Sequence, residues 1–239
     1  MGYHFMVIRQ FLLNKTSHVL FAGFVVLILL FDVAGLDVWL ATKLYALEGN
    51  QWALREHWLT EDILHKGARK LNYILASAVL LTTVYYHWLD KTNPKLSNAY
   101  LALTISLISS FALVAYFKAI TNIACPWSLS LFGGIEPYIH LLQTRPSNLP
   151  YSQCFPAGHA SVGYAWVALY YFFKHSRYQY RFFGLAASLV CGFLLGITQQ
   201  LRGAHFMSHD ITTLFICICC AKLSFSVFFP PAIITAREC

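Results

Sequence analysis

The chain has few charged residues for its length. Asp, Glu, Lys and Arg make up 11% of its 239 residues, whereas an ordinary soluble domain has roughly 25%. Hydrophobic residues account for 58% of the chain. This shortage of charge excludes an ordinary soluble domain and predicts an integral membrane protein.

Internal repeats, low-complexity tracts and long linkers are also missing from the sequence. We therefore expect a single domain over residues 1–239. The first apolar run, residues 19–31, lacks a small-residue cleavage site and is followed by Asp32 and Asp37. Because a signal peptide needs such a site, this run is interpreted as a retained membrane span.

Long apolar runs are the clearest pattern that is present. A helix needs about 20 mostly apolar residues to cross a bilayer. Five segments approach that length, and a sixth is shorter and more polar at its start. We predict an all-α integral membrane fold with six transmembrane helices, at about residues 18–40, 71–89, 98–117, 158–173, 183–201 and 211–229.

The segment between the first two predicted helices, residues 46–70, has the sequence ALEGNQWALREHWLTEDILHKGARK. It is rich in tryptophan and charge, and its apolar residues recur at helical spacing. This combination favours an amphipathic helix that lies at the outer membrane interface.

Acidic residues are scarcer than basic ones, 10 against 17, which gives a net charge of +7. In so apolar a chain this excess favours an anionic membrane surface or an anionic lipid over nucleic acid. Six spans place both termini on one side, together with basic loops around residues 90–95 and 174–181. We expect that side to be the cytoplasm of a bacterium with the protein in its inner membrane, so the opposite loops face the periplasm.

Three polar clusters fall on that opposite side. They are FKAITNIACPW (117–127), CFPAGHAS (154–161) and QQLRGAHFMSHD (199–210). The long connection between the first two, residues 119–156, contains two glycines and five prolines, and loops of this length in compact proteins are usually functional. Helix ends that are distant in sequence are therefore expected to build one site.

In CFPAGHAS, Pro156 lies near a predicted helix start and Gly158 allows the backbone to approach a ligand closely. The amides of a first helical turn bind anions such as phosphate. His159 is placed to donate a proton to a leaving group. The alternative is a helix start with an interfacial histidine that has no chemical role.

In QQLRGAHFMSHD, His205 or His209 is the candidate nucleophile, since a neutral imidazole attacks phosphorus when a carboxylate orients its other nitrogen. Asp210 is the candidate carboxylate, and Arg202 offers donors that match phosphate oxygens. The alternative is a solvated turn between two spans. Lys118 in the first cluster is either a snorkelling lysine or a further phosphate ligand.

The three clusters resemble the motifs of the type 2 phosphatidic acid phosphatase (PAP2) superfamily, which are K-x6-RP, PSGH and SR-x5-H-x3-D on a core of six helices. Lys118 followed by Cys125-Pro126 resembles the first motif, and PAGH at residues 156–159 resembles the second. GAHF at residues 203–206 is similar to the surroundings of the family's nucleophile, which makes His205 its counterpart. The motif-bearing core spans about residues 98–229.

The arginines of this pattern are displaced. Cys125 stands where the family has the arginine of its first motif, and Arg145 in the long loop is a candidate replacement. Gln199 lies six residues before His205, where the family has its second arginine. Arg202 follows about one helical turn later and is expected to reach the same phosphate.

The carboxylate of the third motif is displaced as well. Four residues after His205 the chain has His209, and Asp210 comes one position late. An extra residue in the turn would bring Asp210 to His205, whereas a regular helix would present His209 instead.

The resemblance implies a phosphatase that hydrolyses a lipid phosphate or pyrophosphate at the periplasmic face through a phosphohistidine, without a metal or another cofactor. Its expected partners are that substrate and the surrounding membrane lipids. The residues that match the family's roles are the phosphate ligands Lys118, Arg202 and Gly158, the nucleophile His205, its orienting residue Asp210, and the acid His159.

Three other functions stay open at this point. An acceptor hydroxyl in place of water would make the same site a phosphotransferase. His205 and His209 on one helix face, with Asp210 and His159 nearby, would also suit a metal ion. A non-catalytic protein would bind lipid phosphate without turnover.

Two of the seven cysteines, Cys125 and Cys154, lie in outer segments beside the candidate site. On the oxidising side of a bacterial inner membrane we expect this pair to form a disulfide. The cysteines within predicted spans are interpreted as apolar filling: Cys191, Cys217, Cys219 and Cys220.

Overall fold

The computed structural model describes residues 14–230 of the chain, and the regular structure in that range is helical. Its α-helices, in chain order, are α1 (Lys15–Ile28), α2 (Leu36–Leu47), α3 (Ala68–Val84), α4 (Pro94–Thr121), α5 (Ser161–Tyr164), α6 (Ala168–Ser176), α7 (Arg181–Leu201) and α8 (Met207–Phe228). Short π-helical segments are Leu29–Val33, Leu59–Gly67 and Tyr85–Leu89, and 3-10 turns are Pro126–Ser128, Ser130–Phe132, Ala165–Val167 and Tyr178–Tyr180.

Within residues 14–230, four helical segments are long and apolar enough to cross a membrane, as expected of an integral membrane protein. They are Lys15–Val33, Pro94–Ser128, Tyr178–Leu201 and Met207–Phe228. The other two predicted spans are helical too. Polar side chains interrupt the apolar sequence of α3, and α5 and α6 are short helices separated by a 3-10 turn. The count of six spans therefore stays a prediction, as does the side of the termini, which lie outside residues 14–230.

The core of the bundle is built on α4 and α8. Asn93 caps the start of α4 by accepting a hydrogen bond from Leu96 N, and Pro94 occupies its first turn. Both helices bury small side chains, which allow their backbones to approach closely. These side chains are Ala99, Ala102, Ser106 and Ser110 on α4, and Thr213, Cys217 and Ala221 on α8.

A glycine contact joins α5 to α7. A Cβ atom on Gly163 would overlap the backbone nitrogen of Gly192, and one on Gly192 would overlap the ring of Tyr164. Neither position has room for a side chain, so both require glycine. The contact holds α5, and with it the loop that precedes α5, against α7.

The connection between α2 and α3 differs from the amphipathic helix predicted over residues 46–70. The α2 helix ends at Leu47, because Gly49 (φ 77°) and Asn50 (φ 57°) adopt left-handed conformations. Turns follow, and helical structure resumes only at Leu59–Gly67, which leads directly into α3. The second half of the connection contacts α7.

The glycine contact gives the first testable prediction. Gly163→Ala should destabilise the fold by roughly 1–3 kcal/mol, because the added methyl group forces α5 away from α7. Gly23→Ala in α1 is the matched control, since a Cβ there has no neighbour within 4 Å. The measurement is the thermal unfolding midpoint in detergent, followed by circular dichroism. Equal midpoints for the two variants would show that the helices do not meet at this point.

Candidate active site

A cleft of about 430 Å³ opens at one end of the bundle, where several helices begin or end. It collects side chains from the end of α4, from the loop before α5, and from the connection between α7 and α8. Five of the predicted catalytic and phosphate-binding residues line it: Lys118, Gly158, His159, Arg202 and His205. The structure thus brings three distant motifs to one place.

Lys118 lies in the last turn of α4 and points its ammonium group at the loop before α5. A Cβ atom on Gly158 would lie 3.4 Å from Lys118 Nζ, so the missing side chain leaves the ammonium uncovered. Among residues 14–230 no carboxylate forms an ion pair with Lys118. A cation without a protein counter-ion in a cleft is suited to bind an anionic ligand.

The loop before α5 is fastened to the start of α8. The amide of Ala157 donates to His209 O at 3.3 Å, and Thr213 Oγ1 donates to Ala157 O at 3.0 Å. These bonds fix the second motif against the helix that follows the third. Gly158 and His159 therefore keep a defined position relative to His205.

The turn between α7 and α8 depends on Gly203. Its φ of 66° is left-handed, and a Cβ atom there would overlap the ring of Trp52. The carbonyl of Gly203 accepts a hydrogen bond from Trp127 N at 2.9 Å. This fixed turn places Arg202 on one side and His205 on the other at the edge of the same cleft.

His205 and His209 lie side by side, with their Nδ1 atoms 3.4 Å apart. Both rings are buried, and the backbone of Cys154 lies within hydrogen-bonding reach of both. Burial, followed by the nearby charge of Lys118, holds the pKa of His205 well below its usual range. The imidazole is therefore neutral at pH 7 and has a lone pair for attack.

Asp210 does not reach His205, which corrects the role expected from the sequence. Its Oδ2 atom accepts a hydrogen bond from Gln200 Nε2 at 2.6 Å instead. Because α8 already begins at Met207, one extra residue turns the side chain by about 100° around the helix, towards α7. The side chain next to His205 is that of His209.

His159 is held by the connection between α2 and α3. Its Nε2 atom donates to Leu64 O at 2.9 Å, and its ring packs edge-on against His65 with centroids 4.5 Å apart. Burial lowers the pKa of His159 to about 4. A bound phosphate next to the ring would oppose this shift, because an anion favours the protonated imidazole.

The guanidinium of Arg202 already has three hydrogen-bond acceptors. Nε donates to Arg55 O at 2.8 Å, Nη1 donates to Gln199 Oε1 at 3.0 Å, and Nη2 forms an ion pair with Glu61. Gln199 is the residue at the family's arginine position. Its side chain contacts Arg202, the arginine that follows about one helical turn later.

Sequence reasoning missed the contribution of the connection between α2 and α3. His65 and Arg69 line the cleft, and Glu61 contacts Arg202. The spacing of four residues between Glu61, His65 and Arg69 places them on one helix face, which was the available signal. Their contact with the third motif is long-range and leaves no pattern in the sequence.

Arg145, the proposed substitute for the missing arginine, lies outside the cleft. It forms a buried ion pair with Glu136, and Nη2 also donates to Pro150 O at 2.8 Å. Its charge is neutralised within the long loop. The structure therefore gives Arg145 a role in ordering that loop and does not place it beside the other candidate phosphate ligands.

The two cysteines beside the site are joined. Cys125 and Cys154 form a disulfide with Cα atoms 5.2 Å apart, and both line the cleft. The bond connects the residue that replaces the first-motif arginine to the segment before the second motif. It closes the long loop next to the rings of His205 and His209.

The alternative metal site has no matching arrangement in the part of the chain that the structure describes. Within residues 14–230 no group of three or more histidine, cysteine, aspartate or glutamate side chains is placed to hold a metal ion. Asp210 points away from the two histidines, as described above. The cleft itself carries the cations Lys118, Arg69 and Arg202.

The sequence model of the PAP2 superfamily matches residues 99–231, which is more than half of the chain. The chain belongs to the PAP2 superfamily. No curated protein and no solved structure matches it. Glu61, His65 and Arg69 lie outside the matched range, so part of the cleft of this PAP2 protein comes from residues that precede the family core.

The disulfide gives the second testable prediction. Proteolysis without reductant should release Cys125 and Cys154 in one cross-linked peptide pair, because the structure joins them. Cys217, which is buried and free, serves as the internal control and should be alkylated after unfolding without any reductant. The measurement is mass spectrometry before and after reduction. Alkylation of both Cys125 and Cys154 before reduction would contradict the bond.

Proposed function

We propose that the protein is a membrane phosphatase that hydrolyses a lipid phosphate or pyrophosphate through a phosphohistidine. The observation that carries this proposal is the convergence of Lys118, His159 and His205 on one cleft, from three segments distant in sequence. Membership of the PAP2 superfamily supports phosphatase chemistry for such a site. The apolar helices support a substrate held in the membrane.

The phosphate is bound by positive charge and by backbone. The ammonium of Lys118 and the free N–H groups of Arg202 contact its oxygens, and the Gly158 amide adds a hydrogen bond. Arg69 at the edge of the cleft adds a further cation. These contacts neutralise the charge of the phosphate and hold it in line with His205.

His205 is the nucleophile in this proposal. Its neutral ring donates a lone pair to phosphorus and forms a P–N bond, while the P–O bond to the lipid breaks. His159, protonated beside the bound phosphate, transfers its proton to the leaving oxygen. Water then attacks phosphorus, returns a proton to His159, and releases inorganic phosphate and free His205.

His209 replaces Asp210 as the orienting residue. Its Nδ1 atom lies 3.4 Å from Nδ1 of His205, close enough to fix the ring and its tautomer. The Cys154 backbone supports both rings. An imidazole stabilises the charge that develops on His205 less than a carboxylate does, so we expect a slower first step than the family pattern provides.

We further propose that the cleft faces the periplasm of a bacterium, with the protein in the inner membrane. The disulfide beside the cleft supports this side, because disulfides form and persist in oxidising compartments.

The nucleophile is tested with release of phosphate from undecaprenyl pyrophosphate, phosphatidylglycerol phosphate, phosphatidate and lipid A. His205→Ala should lower the rate by about a thousandfold or more, because the covalent step is lost. His209→Ala should lower it by about tenfold to a hundredfold, because the nucleophile remains but is poorly oriented. Rapid alkaline quenching should trap labelled phosphohistidine in the wild type only.

His87→Ala is the matched control, since His87 is exposed and does not line the cleft. It should release phosphate like the wild type. If His205→Ala keeps full activity, the assignment of the nucleophile is wrong. If the protein and all variants transfer the phosphate to an added alcohol and release none, the reaction is a phosphotransfer.

The fourth prediction concerns metal removal. Phosphate release should be unchanged in excess EDTA, because lysine, arginine and backbone amides bind the phosphate in this proposal. The measurement is the initial rate before and after dialysis against the chelator. A loss of activity that zinc or magnesium restores would favour the metal-dependent alternative instead.

A further inference from the structure

Glu61 connects the two halves of the cleft. Its carboxylate forms an ion pair with Arg202 and accepts a hydrogen bond from His65 Nδ1 at 3.0 Å. Lys66 Nζ lies 3.2 Å from its other oxygen. His65 in turn packs on His159. One carboxylate, from a segment outside the family core, thus contacts the phosphate-binding arginine and the support of the proposed acid.

Arg202 needs support because of where it stands. It is the C-cap residue of α7, directly before the left-handed turn at Gly203, and not an interior helix residue like Gln199. A long side chain at a helix end loses considerable rotamer freedom when it is fixed in one position. Backbone geometry alone therefore does not direct its guanidinium into the cleft.

Three hydrogen-bond acceptors orient the guanidinium of Arg202. The carbonyl of Arg55, the amide oxygen of Gln199 and the carboxylate of Glu61 approach the guanidinium from different sides. They engage three of its five N–H groups and leave two for a ligand. Of the three acceptors only Glu61 is charged, so it forms the strongest of these bonds.

We propose that Glu61 is a positioning residue that holds Arg202 in place for the phosphate, and so compensates for the displacement of the family's arginine by three residues. The inference rests on the proposed function, since it assumes that Arg202 binds phosphate. Glu61 does not touch the substrate. Its carboxylate acts only through Arg202 and the neighbouring His65.

The charge of Glu61 does not make the cleft repel an anion. Lys118, Arg69 and Arg202 line the cleft, and Glu61 lies beside it. Although burial alone would raise the pKa of Glu61, hydrogen bonds from His65 and Lys66 and the charge of Arg202 lower it to about 2. The carboxylate is ionised at neutral pH, and the cations still outnumber it.

The test measures binding of inorganic phosphate to the full-length protein in detergent by titration calorimetry. Glu61→Ala should weaken binding by about tenfold, and Arg202→Ala by at least as much. The double variant should bind no more weakly than Arg202→Ala, because residues that act through one contact are not additive. Asp62→Ala is the matched control, since Asp62 is exposed and, among residues 14–230, its ion pair is with Lys66 and not with Arg202. This variant should bind phosphate within about twofold of the wild type.

Glu61→Gln distinguishes positioning from a general effect on folding. It retains a hydrogen-bond acceptor for Arg202, so its phosphate affinity should lie between those of the wild type and Glu61→Ala. The unfolding midpoints of all variants identify any that misfold. If Glu61→Ala misfolds, the intermediate phosphate affinity expected of Glu61→Gln decides whether Glu61 positions Arg202.

Three results would overturn the inference. Phosphate binding by both Glu61 variants that equals or exceeds that of the wild type would mean that Glu61 competes with phosphate for Arg202. Additive losses in the double variant would mean that the two residues act separately. Absence of phosphate binding by the wild type would remove the phosphate site itself, and with it the proposed function. A fourth result separates the two proposals. If the Glu61 and Arg202 variants lose phosphate affinity non-additively but the wild type hydrolyses no lipid, the inference holds and the proposed hydrolysis fails.

Discussion

The close packing of α4 against α8 through small side chains is the contact on which the rest of the structure depends. Ala102 on one helix and Ala221 on the other are fully buried, and neither keeps the backbones apart. Lys118 stands at the far end of α4, and His209 stands in the first turn of α8. When the helices pack this closely, the end of α4 brings Lys118 to the cleft, and the start of α8 places His209 beside His205, which lines the same cleft. Larger residues in the interface would separate them.

The start of α8 is fixed from a distance. Phe206, its N-cap residue, supplies no side-chain hydrogen bond. The carboxylate of Asp37, on α2, instead accepts a hydrogen bond from Ser208 N at 3.0 Å. This contact stabilises the first turn of the helix, in which His209 lies next to His205 and Asp210 points to Gln200. A residue far from the motifs thus contacts the helical turn whose His209 lies next to His205.

The departures from the family pattern form a connected set. The arginine of the third motif has moved to the end of α7, and the glutamine left in its place now contacts it. The connection between α2 and α3 covers this end of the bundle. There Glu61 forms an ion pair with Arg202, and the Leu64 carbonyl accepts a hydrogen bond from His159. The arginine of the first motif has become Cys125, which forms a disulfide in the wall of the cleft. At each position that departs from the pattern, the structure shows a contact with a segment near it in space.

Much of the fold was predictable, because apolar runs mark membrane helices whatever their neighbours are. The predicted segment at residues 183–201 corresponds closely to α7, and the one at 98–117 lies within α4, which extends four residues further at each end. The segment predicted at 211–229 was less accurate, since α8 begins four residues earlier at Met207. The carboxylate that caps the start of α8 belongs to Asp37, which is distant in sequence, so local spacing does not indicate where the helix begins. The segment at 46–70 failed as a single helix, because left-handed residues at 49 and 50 interrupt it.

The sequence by itself determined the class of protein, the motifs and the side chains that carry charge and nucleophilicity, since these follow from composition and local spacing. It therefore predicted site roles for Lys118, His159, Arg202 and His205, which line one cleft in the structure. Only the tertiary structure decided their partners. Whether Asp210 reaches His205 depends on the rotation of α8, and whether Arg145 reaches the cleft depends on the path of a long loop. The contact between Glu61 and Arg202 joins residues 141 positions apart, and no local pattern records a contact that two distant segments make only after the helices have packed.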